Sequence, residues 1–256
     1  MVTSIPATPV AAARGSGGSS LKRLLPRDAR DRCIVALDLP NVGAAKALVS
    51  DLGEAVTFYK IGMQLVFAGG LDLIAPLTAA GKRVFLDMKL LDIDNTITHG
   101  VESIARLGAT FTTIHAYPKA MRAAVKARAA RPLGLLGVTV LTNMDDEDLS
   151  AAGYRSDVSS LVKSRAVDAV EAGMDGLVCS AREAAQVRRA SGPDLLLVTP
   201  GIRPAGSDAG DQKRTLTPGE AIANGSDYLV VGRPIAAAEK PARAAQAVIA
   251  EIEAAL

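Results

Sequence analysis

Residues Arg83–Thr96 read RVFLDMKLLDIDNT. Val84, Phe85 and Leu86 form a short apolar run that predicts a buried strand, followed by charges that the middle of such a strand would not tolerate. Asp87 and Lys89 stand two apart, so in a continuing strand both side chains point to one face. Asp92 falls past the expected strand end, where the chain turns into a helix predicted to begin near Asn95. Two carboxylates around one ammonium at the end of a hydrophobic strand make either a structural ion-pair network or a reactive cluster. The spacing leaves both open.

Working outward, strand-like and helix-like segments alternate from residue 33 onward. Strands are predicted over Cys33–Leu39, Thr57–Gly62, Val84–Lys89, Thr110–Tyr117, Leu135–Leu141, Gly176–Cys179, Leu195–Pro200 and Tyr228–Gly232. Helical stretches between them include Val42–Leu52, Ile97–Leu107, Val158–Ala172 and Ala221–Asn224, and Glu239–Ala255 closes the chain. Eight strands with intervening helices call for a (β/α)8 TIM barrel. A doubly wound sheet, the structural rival, normally has fewer strands and a G-x-G-x-x-G turn after the first; here that strand ends Asp38, Leu39, Pro40. With 256 residues and 49% apolar content, one domain over residues 31–256 is expected. Residues 1–30 contain ATPVAAARGSGGSS, lack hydrophobic periodicity, and read as a flexible N-terminal extension. Their lack of acids up to residue 27 admits a transit peptide as an alternative, although Pro6, Pro9 and the Gly-Ser run oppose the amphipathic helix it needs.

Composition narrows the function. Six of the 29 Lys and Arg and two of the 27 Asp and Glu fall in residues 1–32, leaving 23 basic against 25 acidic residues. The small positive excess thus belongs to the extension, and a nucleic-acid-binding face on the body is not expected. Four Phe, four Tyr and no Trp leave little for a base-stacking platform. Apolar runs are strand-sized, so no membrane span is predicted. Cys33 and Cys179 sit in apolar runs and read as buried free thiols, which suits a reducing cytoplasm. The two distant histidines, His99 and His115, make no zinc site. His99 is expected on a helix as a surface or packing residue, and His115, at the end of the fourth strand, as a structural hydrogen-bonding residue in preference to one lining the pocket floor.

In a barrel of this kind, functional residues gather at the C-terminal ends of the strands. Strand 1 ends at Asp38, strand 2 carries Lys60, strand 3 supplies Asp87 and Lys89, and strand 5 runs into Thr142. Strand 7 is followed by Pro200 and Arg203, and strand 8 by Gly232 and Arg233. DMKLLDIDNT resembles the D-x-K-x-x-D-I-x-N-T segment of the orotidine 5'-monophosphate decarboxylases. VALDLP, YKIG, VTVLT, VTPGIRP with GDQKR, and VVGRP resemble that family's first, second, fifth, seventh and eighth strand motifs, in order, over residues 33–250. Leu90, Leu91 and Asp94 depart from the family's usual residues without replacing any charged one.

The resemblance implies removal of CO2 from carbon 6 of orotidine 5'-monophosphate to leave UMP, with no cofactor and no metal. Lys89 would protonate the carbanion, Asp87 would lie near the departing carboxylate, and Asp92, Ile93 and Thr96 would reach a neighbouring subunit's site in a homodimer. Asp38 and Lys60 would bind ribose hydroxyls and Thr142 the pyrimidine. Pro200 would precede a lid over Gly201–Thr215, and Arg203 at its base and Gln212 on it would meet the phosphate side of the nucleotide with Gly232 and Arg233. The alternative within the same superfamily is a Mg²⁺-dependent sugar-phosphate decarboxylase or aldolase, which shares D-x-K-x-x-D.

Overall fold

A computed structural model describes residues 24–204 and 215–256. Eight parallel strands close into a ring in sequence order, β1 pairing with both β2 and β8. They are β1 (Cys33–Ala36), β2 (Phe58–Gly62), β3 (Arg83–Leu90), β4 (Phe111–His115), β5 (Gly134–Val138), β6 (Gly176–Val178), β7 (Leu196–Thr199) and β8 (Tyr228–Val231). All eight expected strands are present, and most stop short of the expected C-terminal end. β1 ends at Ala36 rather than Leu39 and β5 at Val138 rather than Leu141, because the chain leaves the ladder there to form the rim.

The helices are α1 (Ala29–Arg32), α2 (Val42–Leu52), α3 (Met63–Phe67), α4 (Ile74–Ala79), α5 (Asp94–Arg106), α6 (Pro118–Arg128), α7 (Asp146–Ala151), α8 (Val158–Ala172), α9 (Ala184–Ser191), α10 (Pro218–Ala223), α11 (Arg233–Ala236) and α12 (Pro241–Glu253). α2 and α8 match their predicted spans. α10 starts earlier than predicted, because Thr217 caps it in a reciprocal pair with Glu220 and Pro218 takes the first turn, where its missing N–H costs nothing. Among the described residues no helix is long and apolar enough to cross a membrane.

The period-two pattern of each strand sorts its residues. One set faces the helices and forms the outer core, including Val35, Tyr59, Val84, Ile114 and Leu229. The other fills the barrel: Ile34 and Ala36, Phe58, Phe85, Phe111, Leu136, Leu196 and Val198, Tyr228 and Val230. Three of the four Phe are therefore spent inside the barrel. Phe58, Phe111 and Tyr228 pack at centroid separations of 5.4–5.8 Å. Glycine makes room for them: a Cβ at Gly134 would lie 2.6 Å from the Phe111 ring. Both cysteines are free and buried, and burial pushes the Cys33 thiol up to about 12.

The N-terminal pole of the barrel is sealed. The extension expected over residues 1–30 overlaps the described chain from Leu24, and Leu24 is itself buried against the barrel interior. Tyr228 donates its hydroxyl proton to the Leu24 carbonyl. Arg83 donates to the Asp31 carbonyl at 2.9 Å, pairs with Asp31 Oδ1 at 3.0 Å, and lies 4.4 Å from the Phe58 ring centroid. Cation, carboxylate and rings close this end.

Candidate active site

At the opposite pole the inward-facing positions turn polar. β2 and β3 continue past Phe58 and Phe85 to Lys60 and Asp87, and β4 continues past Phe111 to Thr113, all buried. Lys60 Nζ lies 2.9 Å from Asp38 Oδ1 and 3.6 Å from Asp87 Oδ2, and Lys89 Nζ lies 2.8 Å from Asp87 Oδ2. The result is one row of alternating sign, Asp38, Lys60, Asp87, Lys89, along the rim. Gly62 permits it, since a Cβ there would stand 2.7 Å from Asp38 Oδ1 and 2.8 Å from Lys60 Nζ.

Asp87 is the hub. Burial opposes its charge, but the ammonium groups of Lys60 and Lys89, with hydrogen bonds from Lys89 and Thr113, outweigh burial and hold the carboxyl below its usual range. Thr113 donates to Asp87 Oδ1 at 2.8 Å and accepts from the Lys89 backbone N–H at 2.9 Å. That second bond fixes an irregularity. Leu86 pairs with Thr112, but the next pairing is Leu90 with Ile114, so four residues of β3 advance against two of β4. Lys89 sits in this bulge with a φ of 49°, a left-handed conformation that costs a non-glycine residue of order 1–3 kcal/mol. The pleat alone therefore does not aim Lys89; the bulge does.

The row forms one wall of a cavity of about 630 Å³. Phe85, Val138, Val178 and Val230 make its apolar floor, and Thr142, Pro200, Arg203, Gly232 and Arg233 stand around it. Gly201 takes a φ of 76°, which turns the chain out of β7 toward Arg203. Ile202 then bridges to Leu216, and the Arg203 N–H donates to the Leu216 carbonyl at 3.0 Å, so the two ends of the expected lid are tied together. Gln212 lies outside the described residues.

Three expected site residues are not gathered here. Asp92, Ile93 and Thr96 are exposed and do not line the cavity. Asp92 Oδ1 accepts from the Ile93 N–H at 2.7 Å. Within one chain the second carboxylate of the row is Asp38, and Asp92 lies past the end of β3, as expected, where the chain turns into α5. His115 is corrected. It is half-buried, its ring makes no hydrogen bond among the described residues, and burial, then Arg165 and Lys89, hold its pKa below the usual value. His99 is exposed as expected, 3.5 Å from Glu102. Thr113 was missed, although its parity with Phe111 on β4 marks it as inward-facing.

A family model described as orotidine 5'-phosphate decarboxylase / HUMPS family matches residues 31–248. A protein named orotidine 5'-phosphate decarboxylase from Rhodopseudomonas palustris strain BisA53 is 60% identical over 227 residues, covering 89% of this chain and 97% of that one. Its counterpart from strain BisB5 is 59% identical over 223 residues, covering 87% and 95%. Among solved structures, an orotidine 5'-phosphate decarboxylase from Lactobacillus acidophilus superposes with a TM-score of 0.76 at 38% identity, over 86% of this chain and 98% of that one. An uncharacterized conserved protein from Geobacillus kaustophilus gives 0.75 at 33%, over 86% and 99%. With a matching model over most of its length and relatives alike from end to end, the chain belongs to the orotidine 5'-phosphate decarboxylase / HUMPS family.

Proposed function

We propose that this chain decarboxylates orotidine 5'-monophosphate to UMP, the last step of de novo pyrimidine nucleotide synthesis. The carrying observation is the Lys89 ammonium, held 2.8 Å from Asp87 at the mouth of a cavity that also presents the Arg233 guanidinium. Breaking the bond between carbon 6 and the carboxylate leaves its electron pair on carbon 6. Lys89 supplies the opposing charge and then its proton, and the neutral amine recovers a proton from solvent. Because the ammonium is oriented before the bond breaks, its stabilisation costs no reorganisation in the transition state. Asp87 adds a smaller effect: two like charges about 4 Å apart repel by roughly 4 kcal/mol at an effective dielectric of about 20, and that repulsion vanishes as CO2 forms.

Asp38 and Lys60 are assigned the ribose hydroxyls, Thr142 the pyrimidine, and Arg203, Gly232 and Arg233, with Pro200 and Gln212, the phosphate side. A guanidinium fork suits a phosphate better than a point charge does. Asp92, Ile93 and Thr96 are assigned to a neighbouring copy's site in a homodimer. Support for this comes from their exposure, and from large exposed apolar residues nearby in sequence: Leu91 at 50% and Ile93 at 71%. Two buried free thiols fit a cytoplasmic setting.

The test is the loss of orotidine 5'-monophosphate absorbance on mixing with purified protein, with and without EDTA. Turnover indifferent to chelator is expected. Loss of turnover with EDTA, restored by Mg²⁺, would instead favour the metal-dependent alternative; against it, the relatives near 60% identity carry only the decarboxylase name.

A further inference from the structure

Arg165 lies on α8, in the outer helical layer, and is nevertheless buried. The other buried positions of α8 are Val162, Ala166, Ala169 and Ala172, the small apolar residues that packing a helix on a barrel favours. An arginine among them bears a desolvation cost that its hydrogen bonds must offset. Nη1 donates to the Thr139 carbonyl and Nη2 to the Tyr154 hydroxyl at 3.1 Å. The guanidinium carbon lies 5.1 Å from the Tyr117 ring centroid and 5.5 Å from that of Tyr154, and the two tyrosine hydroxyls are 2.5 Å apart.

Thr139 is the first residue past β5. Its N–H and hydroxyl both donate to the Val178 carbonyl, at 3.1 and 3.0 Å. Its own carbonyl has no ladder partner from β6, because the Cys179 N–H goes to the Val198 carbonyl and the Ser180 N–H to Glu183. Arg165 replaces that missing donor. The strand can therefore leave the sheet with its last carbonyl satisfied, and the next residues, Val140 to Asn143, bend over the cavity. Tyr117, just past β4, is held by the same guanidinium, so two neighbouring rim segments share one anchor.

We infer that Arg165 is a positioning residue that sets the Val140–Asn143 wall of the cavity, and so the grip on the pyrimidine as distinct from the phosphate. This rests on the decarboxylase reading, in which Thr142 faces the base and Arg233, three strands round the ring, holds the phosphate.

Calorimetric binding of UMP and of ribose 5-phosphate to the full chain separates the two ends of the nucleotide without requiring turnover. Arg165→Lys keeps the charge and loses the fork. It should weaken UMP about tenfold, the worth of a hydrogen bond to a charged group, while ribose 5-phosphate stays within about twofold. Tyr154→Phe, which leaves Arg165 and the backbone in place, should weaken UMP about threefold with the same selectivity and decides the matter if the Arg165 variant does not fold. Equal weakening of both ligands, or unchanged UMP binding in the folded variants, would overturn the assignment. A wild-type chain that binds ribose 5-phosphate but not UMP, and leaves orotidine 5'-monophosphate untouched, would instead count against the decarboxylase reading itself.

Discussion

Strand β3 runs the length of the barrel with a cation near each end, and the two cations are treated differently. Arg83, at the closed pole, is satisfied by the Asp31 carboxylate and carbonyl, by the Tyr228 hydroxyl and by the face of Phe58. Lys89, at the open pole, has Asp87 beside it and the cavity before it. Asp87 and Asp31 are both held below their usual pKa range, so the carboxylates do not distinguish the two ends. What does is whether the cation's remaining hydrogen-bonding capacity is consumed by protein. Where backbone, hydroxyl and ring use it up, the pair is structure; where an ammonium still faces open volume, it can meet a substrate.

The contrast can be broken most sharply at the open pole. Lys89→Ala should lower decarboxylation at least about 10³-fold, from loss of both the proton and the charge, with the melting temperature moved by no more than about 2 °C. Substantial residual turnover would remove Lys89 from the mechanism. The mirror change, Asp31→Ala at the closed pole, should do the reverse. Removing one member of a buried pair costs about 3 kcal/mol, or roughly 6–12 °C in a chain this size, while kcat of the surviving folded protein is unchanged. A fall in kcat with little thermal cost would mean that the two poles are coupled.

Acid sharpens the comparison with the smallest effect. The His115 pKa is lowered from its ordinary 6.5, so its contribution is present above that value and is lost as pH falls through the lowered folded-state value. Asp31 and Asp87 are lowered from 3.8, so theirs is present above 3.8 and lost further down. On acidification the open pole should weaken first, by roughly 1–2 °C, and His115→Gln should abolish that early decline while leaving the later one. An early decline that persists in His115→Gln would refute this assignment.

Much of this molecule is legible in one dimension. The eight apolar runs and the residues that end them place Asp38, Lys60, Asp87, Lys89, Thr142, Arg203 and Arg233 at one rim, and the structure brings them to one cavity. Lys60 and Asp87 follow from strand parity and the others from standing at or just past a strand's C-terminal end, both of which are local, although the aim of Lys89 is not. Asp92 lies past the strand end, as its position in D-x-K-x-x-D suggests, but what it faces there is not written in the spacing. His115 looked like a residue in need of a hydrogen bond, and only the packing of β4 beside Arg165 shows a ring left without one. Arg165 had no local signal at all, since an arginine in mid-helix reads as a solvated side chain until the end of β5 is found beneath it.

Eight apolar runs alternating with helical stretches, and the polar residues that end them, were enough to predict a (β/α)8 barrel with a polar mouth, because segment type is set largely by neighbouring residues. The order of partners in the mouth was decided only when the strands came together. The two-residue mismatch between β3 and β4 that turns Lys89 over Asp87, the bare Cα of Gly62 that lets Lys60 meet Asp38, and the guanidinium that completes the end of β5 all depend on register between segments distant in the chain. Register is a property of the assembled ladder, and no single strand encodes it.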